Sequence, residues 1–254
     1  MFLTAGLSAG GAEKVTVTLA NRLSRSCSVS VICVYPGGVN ADYLNAEVNL
    51  LRADKPRILA ALPFVIRTLK RTRAAFLVCN KDDVAVLGAL AIVLSRTDTQ
   101  LIARVANKPV YYYRAPFWRK FGYYCLFKGM YRYAHRVICV SESLRREILS
   151  LYQLDPDKVK VIYNPPGVIR SNPELRPTLT TPESTSVVTI GRLVAQKNHF
   201  LFIDTLKALS RVGNYEGFIV GEGPLRSALE AHAAACGIAE RIHFVEYVDD
   251  PVSY

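Results

Sequence analysis

Residues 136 to 163, RVICVSESLRREILSLYQLDPDKVKVIY, decide the fold. A β-branched run, Arg136 to Val140, leads into an amphipathic stretch, Ser141 to Leu151, and a second β-branched run, Val159 to Tyr163, follows. Strand, helix and strand in this order predict a crossover unit with parallel strands. The same alternation extends outward in both directions. Strands are predicted over Ser28 to Val34, Ala75 to Cys79, Gln100 to Val105, Ser186 to Ile190, Glu216 to Val220 and Ile242 to Val245. Helices are predicted over Ala12 to Arg25, Pro56 to Arg73, Asp82 to Leu94, Phe117 to Tyr133, Asn198 to Leu209 and Pro224 to Cys236. This is an α/β chain, and in such sheets ligands bind beyond the carboxyl ends of the strands.

The alternation stops between Asn164 and Ser184, where five prolines interrupt the chain and apolar periodicity is absent. That stretch reads as a linker. The expected organisation is a first domain over 1–168, a linker over 169–185 and a second domain over 186–254. After the linker only three strand-like runs and two helices remain, and the sequence ends at DDPVSY just after a strand. The second domain is therefore expected to be incomplete and the chain to be a fragment of a longer protein.

Composition narrows the function classes. Of 254 residues 50% are apolar and 21% charged, enough to bury a core and too apolar for a disordered chain. The longest apolar run, Val84 to Leu94, is about half the length of a membrane span. The opening MFLTAGLSAGGAEK lacks the basic segment of a secretory signal. Six dispersed cysteines form no CxxC pair and no Cys/His cluster at zinc spacing, so neither a disulfide frame nor a structural metal is expected, and a reducing compartment fits best.

The net charge of +11 is unevenly spread. Up to Arg170 there are 25 basic and 11 acidic residues, and from Ser171 onward 7 basic and 10 acidic. The first part is thus expected to face an anionic surface: phospholipid headgroups, a nucleic acid or a phosphorylated substrate. Its densest stretch, Arg104 to Arg146, holds ten cations and one acid, with eleven aromatics between Tyr111 and Tyr133. A helix over 117–133 would align Phe117, Phe121, Tyr124, Phe127 and Tyr131, with Lys120, Lys128 and Arg132 on or beside that face. Two readings stand side by side: a membrane-interface helix whose cations snorkel toward lipid phosphates, or a core helix with basic edges.

Three glycine turns are candidates for ligand contact. Gly10 and Gly11 precede a helix whose free N–H groups and partial positive charge suit a phosphate. Gly191 to His199, GRLVAQKNH, sets Arg192 at a strand end and Lys197 at a helix start, where two cations could straddle a diphosphate. Gly221, Glu222, Gly223 and Pro224 form a tight turn into the next helix, but Arg226 stands where a dinucleotide fingerprint needs its third glycine, which excludes a nicotinamide cofactor. Asp155-Pro156-Asp157 reads first as a turn and only secondarily as a pair of metal-bridging carboxylates. Asp82-Asp83 and Asp249-Asp250 read as caps or turns. The four histidines, His135, His199, His232 and His243, do not cluster and read as surface or core-edge residues.

Taken in order, GGAEK, VICVSESLRREI, VKVIYNPPGV, VVTIGRLVAQKN and FIVGEGPLRSAL resemble the family 4 glycosyltransferases. The resemblance implies the GT-B architecture, two Rossmann-like domains facing across a cleft, and a retaining hexosyltransferase without a cofactor or metal. It assigns Arg192 and Lys197 to the donor diphosphate as leaving-group stabilisers. Gly10 and Gly11 would close on the same phosphates, Gly221 to Pro224 would flank the nucleotide, and the segment Phe244 to Val248 would meet its base. Relatives carry a histidine in the loop where this chain reads RVANK, so Arg104 and Asn107 are placed as acceptor contacts and no general base is named. The family's paired glutamates would lie past Tyr254. The partners so implied are a nucleotide-sugar donor, a lipid-linked or saccharide acceptor and an anionic membrane surface, with no nucleic acid. The implied location is cytoplasmic, peripheral to the inner face of the plasma membrane, in polysaccharide biosynthesis. Two other readings stay open: a non-catalytic binder of nucleic acid or an anionic surface through the basic first part, and a metal-dependent transferase using Asp155 and Asp157.

Overall fold

A computed structural model of the chain describes residues 1–8, 10–107, 116–165 and 184–246, and for 117–119 the backbone alone. The chain divides into two compact units, Met1–Pro166 and Gly167–Tyr254. The linker expected over 169–185 lies outside the described residues except for its last two positions, the second of which already opens a strand.

The first unit holds a seven-stranded sheet: β1 (Phe2–Thr4), β2 (Ser30–Cys33), β3 (Asn49–Arg52), β4 (Phe76–Cys79), β5 (Gln100–Val105), β6 (Arg136–Cys139) and β7 (Val159–Val161). All neighbours pair in parallel, in the order β3-β2-β1-β4-β5-β6-β7. Among the described residues the crossovers carry five α-helices: α1 (Gly11–Leu23), α2 (Leu62–Thr72), α3 (Asp82–Ser95), α4 (Phe117–Tyr133) and α5 (Glu142–Tyr152). Strand residues alternate between two cores. Leu3, Ile32 and Leu77 face one, shared with α2 to α5, while Phe2, Val31 and Cys33 face the other, beneath α1. Covering both faces is what an all-parallel sheet requires.

Local chemistry explains the boundaries. The Ser141 hydroxyl accepts from the Leu144 amide at 3.2 Å and caps α5. The helix expected from Pro56 starts at Leu62, after a 3-10 turn over Ile58–Ala61, because Pro63 fits only the first turn of a helix. β1 and β3 escape the sequence reading: one has three residues, and the other has exposed ends with no alternation. α3 packs on β1, β4 and β5 and against α2 and α4, leaving Leu90, Val93 and Leu94 exposed.

α4 corrects the expected aromatic face. Phe127, Met130, Tyr131 and Ala134 are buried in the core, and Tyr124 stacks on Tyr152 with ring centroids 5.8 Å apart. Lys128 turns along the protein, donating to the Tyr124 hydroxyl at 2.8 Å and to Gln153 Oε1 at 3.2 Å. The lower part of the stripe is therefore core, while Phe121, Cys125, Leu126, Arg132 and Tyr133 are among the exposed residues. Phe117, aligned with that stripe in sequence, has no described side chain, and Tyr111 to Tyr113 lie outside the described residues.

The second unit holds a parallel three-stranded sheet, order β10-β9-β8, made by β8 (Thr185–Ile190), β9 (Tyr215–Val220) and β10 (Ile242–Val245). Helices α6 (His199–Leu209) and α7 (Arg226–Ala235) pack on it through Ile203, Leu206, Leu229 and Ala233 around the fully buried Leu193. No helix among the described residues is long and apolar enough to cross a membrane.

Candidate functional site

In the first unit the strand order reverses direction at the β1–β4 boundary. A parallel sheet opens a crevice there, at the carboxyl ends of its strands. β1 ends at Thr4 and passes through Gly10 into α1, while β4 ends at Cys79 and passes through Asn80 and Lys81 into α3. Gly11 opens α1 with free space where a side chain would stand. Gly10 has no such room: a Cβ there would lie 2.1 Å from Glu13 Oε2. The Glu13 carboxylate folds back over the helix start and pairs with Lys81 Nζ at 2.7 Å while being almost completely buried. The helix end thus already holds a neutralised carboxylate, and an incoming anion would share the positive end of α1 with it. Asn80 donates to the Thr16 hydroxyl, and its carbonyl oxygen is buried without a partner among the described residues.

Behind this turn, Asp82 begins α3 and accepts a hydrogen bond from the Tyr131 hydroxyl at 2.5 Å. Burial pushes its carboxyl up to about 6, against the opposing effect of that hydrogen bond, with Asp83 adding a smaller upward push. The cap position is Lys81, and Asp83, in the first turn, accepts from the Val84 amide at 2.8 Å. The expectation that Asp82 and Asp83 are caps or turns is corrected for both, which stand in the first helical turn of α3.

Arg104 sits one residue from the carboxyl end of β5 and is 5% exposed. One terminal nitrogen donates to Asn164 Oδ1, just past β7, and the other is buried with no partner among the described residues. Burial lowers its pKa, the usual penalty for a desolvated cation. Asn107, by contrast, is exposed in the loop beyond the strand. Asp155 and Asp157 form a turn in which the Asp157 amide donates to Asp155 Oδ1 at 2.9 Å.

In the second unit two turns interlock at the carboxyl ends of β8 and β9. The Leu193 amide donates to the Glu222 carbonyl at 2.8 Å, and the Leu225 amide to the Leu193 carbonyl at 3.1 Å. Gly221, at φ +136°, lies so close to the neighbouring turn that a Cβ would fall 2.3 Å from the Gly191 carbonyl oxygen. Gly223 is similarly close, 2.5 Å from the Leu193 carbonyl oxygen. Only glycine permits this crossing. Pro224 follows on the surface, and Glu222 is exposed.

Arg192 and Lys197 are both exposed, yet their backbones are held. The Lys197 stem packs over Gly191, with Cε 3.2 Å from where a Cβ would stand. His199 is buried, with Nε2 3.2 Å from the Arg192 carbonyl oxygen and Nδ1 3.5 Å from the Thr189 hydroxyl. The first contact requires Nε2–H as the donor. His199 therefore is not the surface or core-edge residue the sequence suggested but a strut under Arg192. Its position two residues after Lys197 gave no hint of this contact; nor could the Glu13–Lys81 pair be seen, since its members stand far apart in sequence. Arg226 places its guanidinium 5.1 Å from the Phe244 ring. Val248 and Asp249-Asp250 lie outside the described residues.

Known proteins give this geometry a context. The family profile described as Glycosyltransferase Family 4 matches residues 9–165, and the profile Glycosyl transferases group 1 matches residues 172–254. The chain is similar to a Campylobacter jejuni alpha-1,4-N-acetyl-D-galactosaminyltransferase named for a diNAcBac-PP-undecaprenol substrate. They are 25% identical over 98% of this chain and 68% of that protein. An uncharacterised glycosyltransferase of Methanocaldococcus jannaschii is 30% identical over 45% of this chain and 32% of its own length. Among solved structures, Anabaena Alr3699/HepE in complex with UDP and glucose superposes with a TM-score of 0.75 at 19% identity, over 98% of this chain and 69% of that one. At that identity the likeness concerns the fold alone: it is the α/β, GT-B arrangement of two parallel sheets.

Proposed function

The chain belongs to glycosyltransferase family 4, and from that premise we propose that it serves sugar transfer from a nucleotide-diphosphate sugar to a lipid-linked or polysaccharide acceptor, with retention at the anomeric carbon. In this reading residues 1–168 carry the acceptor side and 186–254 the donor side, joined by a linker over 169–185. The carrying observation is the pair of exposed cations on a fixed backbone: Arg192 tied through its carbonyl to buried His199, and Lys197 laid across Gly191. As the glycosidic bond breaks, negative charge collects on the departing nucleotide diphosphate. Two cations on pinned backbones oppose it, each contributing about 3 kcal/mol if they behave like comparable preorganised contacts.

Gly221 to Pro224 flank the nucleotide in this assignment, Gly10 and Gly11 approach its phosphates, and Arg104 and Asn107 meet the acceptor. The partly unsatisfied guanidinium of Arg104 suits a polar or anionic acceptor group. Support for a lipid-linked acceptor comes from the name of the Campylobacter relative and from the exposed Phe121, Leu126 and Tyr133 beside basic residues on α4. They fit a protein peripheral to the inner face of the membrane, with the lipid phosphates as the anionic partner.

Titration calorimetry of the chain with UDP, GDP and ADP tests the donor assignment. One nucleotide is expected to bind, with affinity about 100-fold weaker after Arg192→Ala and similarly weaker after Lys197→Ala. No binding of any of the three, or binding unchanged in both variants, refutes the assignment.

A further inference from the structure

We propose that Asp204, His232 and Cys236 form a site for a single divalent metal of zinc type. Asp204 is on α6; His232 and the C-cap residue Cys236 stand one turn apart on α7. Their ligand atoms converge, all lying within 4.8 Å of one another. His232 Nε2 is 2.7 Å from Asp204 Oδ1 and 3.8 Å from Cys236 Sγ, and Sγ is 3.9 Å from the same oxygen.

The arrangement excludes a nucleophile triad. There, the thiol and the carboxylate address opposite ring nitrogens, so that one orients the imidazole and the other loses a proton to it. Here both face Nε2, leaving a point that all three atoms can reach together. Tetrahedral zinc, with bonds of about 2.0–2.3 Å to N, O and S, separates its ligands by about 3.3–3.6 Å. Sulfur must draw in by a few tenths of an ångström, and the carboxylate and imidazole must part by roughly 0.6 Å as the metal replaces their hydrogen bond. Small side-chain rotations on two surface helices achieve this. Phe200 meets the His232 ring edge-on at 5.3 Å and restricts its plane. The site is open to solvent, with 56% of the Asp204 side chain exposed, so water completes the fourth position.

The donor set selects the metal. Thiolate and imidazole favour zinc or cobalt, whereas magnesium and calcium require oxygen ligands. On binding, Cys236 releases its thiol proton to solvent and the metal takes the sulfur lone pair. The site also clamps α6 to α7. These helices start directly after the two interlocked turns, and Asp204 stands about 7.5 Å along α6 from His199. A bound metal thus braces both turns from behind without touching them. His232 and Cys236, four apart, share one face of α7, but the site is not evident from sequence because its third ligand stands on another helix.

Cobalt titration of the full 254-residue chain, kept reduced with a phosphine, tests the proposal. One equivalent should produce a thiolate-to-cobalt charge-transfer band in the near ultraviolet and visible bands of tetrahedral cobalt, both removed by added zinc. Cys236→Ser should abolish the charge-transfer band, and His232→Ala should weaken binding about 10-fold or more. In the unmodified chain zinc, but not magnesium, should protect Cys236 from alkylation, read by peptide mass spectrometry. A spectrum that survives Cys236→Ser, no tetrahedral bands at all, or protection confined to the exposed Cys27 and Cys125 overturns the proposal.

Discussion

Replacing Asp82 by asparagine should stabilise the first unit at neutral pH, although it removes a charge from a hydrogen-bonded site. The Asp82 carboxyl is buried at the start of α3, and its pKa is pushed up to about 6, chiefly by desolvation. In the unfolded chain a carboxyl titrates near 3.9. Above pH 6 the group is ionised in both states, and folding bears the full cost of burying the charge, about 3 kcal/mol for this displacement. Between pH 6 and 4 the folded state takes up the proton first, so stability rises as pH falls, and the cost has vanished below pH 4. The asparagine side chain would keep an oxygen that accepts from Tyr131, but its buried amide N–H groups cost about 1–3 kcal/mol where they lack partners. The net gain at pH 7.5 is therefore about 1 kcal/mol. The assay is urea unfolding from pH 4 to 8, followed by emission of the single tryptophan, Trp118, which lies in α4 of this unit. The wild-type chain should lose stability from pH 4 to 7, and the variant should lose markedly less. A variant less stable than wild type at pH 7.5, with the same pH slope, would refute the desolvation argument.

Two further outcomes are expected. Gly221→Ala should unfold or grossly weaken the second unit, since a Cβ there would sit 2.3 Å from the Gly191 carbonyl oxygen at a backbone angle of +136°; proteolysis should then release a first unit that still unfolds cooperatively. Phe121→Ser with Leu126→Ser should leave stability within about 0.5 kcal/mol, both being exposed, but reduce co-sedimentation with anionic phospholipid vesicles several-fold; unchanged vesicle binding would remove α4 from the membrane assignment.

What the sequence disclosed follows from the range of the forces involved. Strands β5 and β9 and helix α3 were visible because burial writes apolar runs into the chain, and β8 and β10 because their residues are largely β-branched or aromatic. β1 and β3 were not, because a three-residue strand and a half-exposed strand leave no pattern and are fixed by their neighbours. For the aromatic face of α4 the sequence leaves a membrane-interface and a core reading open, because a helical wheel aligns residues but does not say which side meets the sheet. Phe127 and Tyr131 went to the core and Phe121 to the surface. The glycine turns were legible as motifs, whereas the reasons for them were not. Gly10 lies under the Glu13 carboxylate, and Gly221 is glycine because another turn crosses it.

The same distinction separates charges that recognise ligands from charges that hold the fold. Glu13, Lys81, Arg104 and Asp82 are each buried or bound to a neighbour, so their chemistry is partly spent inside the protein. Arg192 and Lys197 have the opposite arrangement: both are exposed, with the Arg192 carbonyl held by His199 and the Lys197 amide donating to the Val194 carbonyl at 3.0 Å. A long side chain loses about 1.5–2 kcal/mol of rotamer freedom when it is fixed. Fixing the backbone, and for Lys197 the stem over Gly191, leaves the charged ends free until an anion arrives, while the direction in which each cation leaves the chain is already set. A site built this way keeps its fold when a cation is removed, losing affinity alone, but fails as a whole when the crossing glycines are replaced. The contrast between Arg192→Ala and Gly221→Ala is therefore the sharpest test of whether these turns bind a diphosphate or only close the fold.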